Sequence, residues 1–190
     1  MRRLLPTLVI AWLALGFSGC SADSTPTPEP SESASNQTID PSLIPTEPAS
    51  DAIEVDATLF ESSFGDFTFR IGEGPTWCSI NVENHLALCE QNEPDTNYKP
   101  VETPSSCELS YGYQLRLTAT MPTDGTDQAG FVCSGGAYAD AATALTLNDG
   151  EVIRLDAFTC FVEGTTARCD NEEGKYIVLG PDAWAFGSKL

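Results

Sequence analysis

The chain is poor in positive charge: 9 Lys and Arg stand against 28 Asp and Glu in 190 residues, a formal net charge of −19 at pH 7. That shortage argues against sequence-independent binding to nucleic acid or to an anionic lipid surface, since both need a positive patch. Histidine is almost missing, with His85 alone, so a Ser-His-Asp or Cys-His arrangement would have to pass through that one ring. No C-x-x-C, G-x-S-x-G, H-E-x-x-H, S-x-x-K or Walker-type loop occurs. Those absences weigh against thioredoxin-like redox chemistry, zinc sites built on close ligand pairs and the usual hydrolase elbows. No cofactor is expected. Beyond the first twenty residues no hydrophobic run approaches membrane-spanning length, so the remainder is expected to be soluble.

What the chain does have begins with "MRRLLPTLVIAWLALGFSGC". Arg2 and Arg3 precede an apolar run from Leu4 to Phe17, too short for a span and matched to a secretory leader. The small pair Ser18-Gly19 then stands before Cys20, a pattern that resembles a bacterial lipobox. There the cysteine takes a diacylglycerol and becomes the new N-terminus, while Phe17 replaces the usual leucine. Residues 1–19 are therefore expected to be a lipoprotein signal and Cys20 the lipid attachment. Two acyl chains, at about 0.8 kcal/mol per buried CH₂, hold a protein stably on a bilayer.

Residues 20–55 hold six prolines, many Ser and Thr, seven acids and no base. Such a segment buries too little apolar surface to offset its ordering entropy and is expected to be a disordered tether, roughly 30–35 Å end to end as a random chain. The resemblance to a bacterial lipobox implies that the sequon at Asn36 goes unused. Residues 56–190 suffice for one modest domain.

Within that domain the hydrophobic pattern has period two. In "YGYQLRLTAT" (Tyr111 to Thr120) alternate residues, Tyr111, Tyr113, Leu115, Leu117 and Ala119, point one way. Short strands are also predicted at Phe67 to Ile71, Thr76 to Ile80, His85 to Cys89, Gly130 to Cys133 and Tyr176 to Leu179. "ATALTLNDGEVIRL" predicts a hairpin turning at Asn148-Asp149-Gly150. Gly135 to Leu145 has helix-friendly alanines and room for a helical turn or two. The predicted fold class is all-β, a small disulfide-stapled, mostly antiparallel sandwich or partly open barrel.

Seven cysteines are an odd number for an exported protein, but with Cys20 lipidated six remain. In "CFVEGTTARC" a two-residue turn at Gly164-Thr165 sets Cys160 opposite Cys169, at a separation a disulfide accepts. "CSINVENHLALC" repeats the design for Cys78 and Cys89, around a turn near Glu83-Asn84. Cys107 and Cys133 are left to close a longer loop. This sequential pairing is one of fifteen possible.

The order "FTFRI…WCSI…ALCE", "SSCEL", "AGFVCSGG", "AFTCFVEGTTARCDNEEGKYIVL" resembles a family of small secreted or lipid-anchored six-cysteine domains of unknown function from actinobacteria. The resemblance spans Phe67 to Leu179. It implies an extracytoplasmic domain and supplies no catalytic residues. Two places depart from the family pattern: "GEGPTW" before Cys78 and "EEGKYIVLG" after Cys169, where Lys175 occupies the region of a usual histidine.

Chemistry is harder to read. His85 lies beside a predicted turn, where an exposed polar residue is ordinary. "DGTD" (Asp124 to Asp127) and "DNEEG" (Asp170 to Gly174) are acidic clusters without EF-hand spacing. Trp184 and Phe186 share one face of a closing strand, either lining a groove or completing the core. The sequence favours a lipid-anchored, non-enzymatic binding or accessory module on the outer face of the cell membrane, meeting an unknown envelope protein or glycan and no nucleic acid. The alternatives are an envelope hydrolase using carboxylates and a weak calcium-binding module.

Overall fold

The computed structural model describes residues 39–62 and 65–189. The leader, Cys20 and the first part of the tether lie outside the described residues. Among the described residues twelve strands form two six-stranded sheets packed face to face. The first sheet runs, in spatial order, β1 (Ile53–Glu54), β8 (Glu151–Leu155), β9 (Phe158–Glu163), β10 (Thr166–Asn171), β11 (Lys175–Leu179) and β12 (Trp184–Ser188). The second runs β6 (Ala129–Phe131), β5 (Gln114–Thr118), β4 (Leu86–Glu90), β3 (Trp77–Asn81), β2 (Asp66–Ile71) and β7 (Leu145–Leu147). Among the described residues neither sheet closes into a barrel, so the architecture is a sandwich.

Alternation decides the core. Phe69, Ile71, Cys78, Ile80, Cys89, Leu115 and Leu117 from one sheet meet Ile153, Phe158, Cys160, Cys169, Ile177 and Leu179 from the other, all but closed to solvent. Among the described residues there are three disulfides, Cys78–Cys89, Cys107–Cys133 and Cys160–Cys169. The first and third join directly opposed residues of the β3–β4 and β9–β10 hairpins. The β9–β10 turn has Gly164 at φ 61 and Val162 opposite Ala167, as a two-residue turn with glycine first requires.

The outer faces are covered as well. Arg168, buried on the outer side of β10, donates from Nε to Asp170 Oδ1 and from Nη1 to the Pro45 carbonyl, each at 2.8 Å. Its guanidinium also lies 4.0 Å from the Tyr176 ring centroid. Pro45 is itself buried, and β1 pairs in parallel with β8. Packing therefore begins upstream of the boundary expected at Asp56, because the end of the acidic segment supplies an edge strand and caps a buried arginine.

Two local expectations fail. Asn148-Asp149-Gly150 does not turn a hairpin. β7 pairs in parallel with β2, while β8 pairs with β9 and β1 in the other sheet, so this turn hands the chain from one sheet to the other. Gly135 to Leu145 forms no helix. The amides of Tyr138 and Ala139, which a helix would have bonded internally, donate instead to the Glu90 carboxylate.

Candidate functional site

The outward side of the second sheet carries an unusual row. Trp77, Glu90 and Gln114 stand opposite one another on β3, β4 and β5, one residue out of phase with the inward Cys78, Cys89 and Leu115. Outward residues of an antiparallel sheet usually face water, yet Glu90 is only 3% exposed. A strap formed by residues 134–142 lies over it. The base of the strap is fixed by the Cys107–Cys133 disulfide and by reciprocal backbone bonds between Ser110 and Ser134. Its middle is fixed by Glu90, and its far side by the Tyr138 hydroxyl, which sits within hydrogen-bond reach of Asn81 and Asp66.

Glu90 is saturated. Oε1 accepts from Trp77 Nε1 at 2.7 Å and from the Ala139 amide at 3.1 Å, while Oε2 accepts from Gln114 Nε2 at 2.6 Å. The Tyr138 amide reaches both oxygens, at 3.1 and 2.9 Å. A carboxylate whose lone pairs are all engaged has none left to take or relay a substrate proton. Glu90 is a strut.

Beside the strap opens a pocket of about 240 Å³ lined by Trp77, Glu90, Glu93, Ser110, Tyr113 and Gln114 among others. Its far wall is the 92–94 loop. Thr76 Oγ1 donates to Gln91 Oε1, Gln91 Nε2 donates to Thr96 Oγ1 and the Tyr98 hydroxyl, and that hydroxyl donates to the Gly112 carbonyl. Burial pushes the Tyr98 phenol up to about 12. Tyr113 is raised more modestly, first by burial and then by the neighbouring Glu93 carboxylate. A buried, fully paired network thus holds the rim in place.

The residues singled out from sequence fall elsewhere. Cys20 lies outside the described residues. His85 sits at the β3–β4 tip in left-handed backbone (φ 49), its Nδ1 2.9 Å from Asp156 Oδ2. Asp156, at φ 52, lies at the β8–β9 tip, so this pair clasps the two sheets at one end. Asp124 accepts from the amide and hydroxyl of Thr126, which lower its pKa, and so closes its own turn. Asp170 meets Arg168 and, at 3.0 Å, Lys189. With its charge answered by two cations it is a poor calcium ligand. The sulfurs of Cys78, Cys89 and Cys169 lie within 4.8 Å of one another, but all three belong to disulfides. Trp184 and Phe186 stack at 5.8 Å, and Phe131 packs edge-on to Trp184 at 4.9 Å, closing the side between β12 and β6.

The Trp77–Glu90–Gln114 row and its pocket were not read from sequence. Its trace was "CEQN" after a buried strand, an acid where period two demands an outward residue. Only the strap, distant in sequence, makes that acid special. The fold and site define a disulfide-stapled β-sandwich with a strapped polar pocket. Comparison with protein-family models, curated proteins and solved structures finds no match for this chain.

Proposed function

We propose that this chain is a lipid-anchored extracytoplasmic protein of the actinobacterial six-cysteine type, a binding or accessory module of the cell envelope. The observation that carries the reading is cysteine use: six of the seven cysteines are spent in three disulfides, and Cys20 alone remains, behind an apolar leader. Disulfides persist in oxidising compartments, which agrees with export. An acylated Cys20 would set the sandwich on the outer face of the membrane, with the acidic segment as spacer. The saturation of Glu90 withdraws that one carboxylate from acid–base chemistry.

Feeding a clickable palmitate to cells that express the full chain tests the anchor. Label is expected on the wild type and lost in Cys20→Ala, with the protein moving from the membrane to the soluble fraction. Label retained in Cys20→Ala, or none on the wild type, would overturn the lipoprotein reading.

A further inference from the structure

The pocket beside the strap has a chemistry of its own. Its side-chain amides are partly engaged: Gln114 Nε2 donates to Glu90, Asn92 Nδ2 to Asp95, and Gln91 Nε2 to Thr96 and Tyr98. The opening offers acceptor oxygens, those of the exposed Glu93 carboxylate, to which the Tyr113 hydroxyl bonds, and of the Gln114 amide, with the Ser110 and Tyr113 hydroxyls able to donate or accept. Among the described residues neither lysine nor arginine lines it, and the chain's strong negative charge repels anions. A phosphate or carboxylate ligand would find no counter-charge. A ligand rich in hydroxyl donors finds acceptors on several sides.

Shape narrows the class further. At about 240 Å³ the pocket is smaller than those that enclose drug-sized ligands, and it accepts one ring. Two aromatic side chains, Trp77 and Tyr113, contribute to its walls, and the Trp77 indole is pinned in orientation by its bond to Glu90. The floor and rim are pre-set by a disulfide, the Glu90 strut and the Tyr98 network, so little ordering entropy is left to lose on binding. The geometry points to a single neutral pyranose ring, the terminal sugar of a glycan, as the ligand of this pocket. Its apolar C–H face lies on an aromatic wall and its hydroxyls donate to Glu93 and Gln114. The inference rests on the reading of the chain as a binding module, and names what is bound.

The test is titration of the purified full chain, disulfides intact and in a detergent without a sugar headgroup, with glucose, galactose, mannose and N-acetylglucosamine. Saturation-transfer NMR reports the contact. Saturable binding of at least one pyranose is expected, weakened at least about tenfold in Glu93→Gln and in Tyr113→Ala. Both changes are at pocket-rim side chains, and an unchanged melting curve confirms that each variant is folded. Trp184→Phe, on the far aromatic cluster, is expected to bind as the wild type does. Binding of none of the four sugars overturns the proposal. So does binding untouched by both rim variants, or a preference for glucose 6-phosphate or tetramethylammonium over glucose. Acylation is not needed for this readout: a chain that binds sugar but carries no lipid refutes the anchor and keeps the pocket.

Discussion

The Sγ atoms of Cys89 and Cys169 lie 3.9 Å apart across the middle of the sandwich. Each belongs to a cross-strand disulfide of its own sheet, so the two cystines pack against each other as the centre of the core. Their effects on stability should therefore be coupled. Replacing either hairpin pair by alanines is expected to cost about 3 kcal/mol, measured by urea unfolding. Removing both should depart from the sum of the two, because contacting sites are not additive. Strict additivity would show that the packing contributes nothing.

The third disulfide differs in access. Cys133 is exposed, whereas Cys78, Cys89, Cys160 and Cys169 are wholly buried. Mild reductant under native conditions is expected to open Cys107–Cys133 first, and alkylation with mass spectrometry should find label, among the six disulfide cysteines, on those two alone. The other four should react only once urea unfolds the domain. Early label on Cys160 or Cys169 would contradict this.

Glu90→Ala would leave four donors, on Trp77, Gln114, Tyr138 and Ala139, without their acceptor. A loss of about 3 kcal/mol or more is expected. Hydrogen exchange gives the specific check: protection should fall at the Tyr138 and Ala139 amides before it falls in the core strands. Glu90→Gln keeps one acceptor oxygen and should lose less.

Tyr98 gives the fold an alkaline limit. Its phenol titrates at about 12 in the folded protein, against an ordinary value of 10.0. The unfolded chain therefore gives up this proton more readily than the folded one. The associated stability is fully present below pH 10 and is lost as pH rises through 12. The urea midpoint is expected to fall across that window. In Tyr98→Phe the fall should shrink, and the neutral-pH midpoint should also drop, because Gly112 loses its partner. An identical alkaline slope in the variant would remove Tyr98 as the cause.

Much of the sandwich is legible in the sequence wherever the determinants are local. Alternation of Leu115 and Leu117 marks β5, while Tyr113, expected on the same face, lies before the strand and lines the outward pocket. Gly164 in a two-residue turn sets the register that brings Cys160 against Cys169. The turn at Asn148-Asp149-Gly150 deceived because a turn signal fixes a change of direction and not a partner. Leu145 and Leu147 found an edge beside Phe69 and Ile71 instead. The alanines of the strap deceived for a related reason: intrinsic helix preference is worth tenths of a kcal/mol per residue, less than satisfying a buried carboxylate with backbone amides.

By itself the sequence determined which residues alternate, where tight turns fall and which hairpin cysteines, Cys78 with Cys89 and Cys160 with Cys169, come within bonding reach, since each follows from neighbours a few positions apart. Only the tertiary structure decided that Glu90 is a buried strut, that Pro45 caps Arg168, and that Trp77, Glu93 and Tyr113 share a pocket. Those facts depend on segments brought together over long sequence separations, and burial, which sets the worth of every polar contact, is a property of the assembled fold.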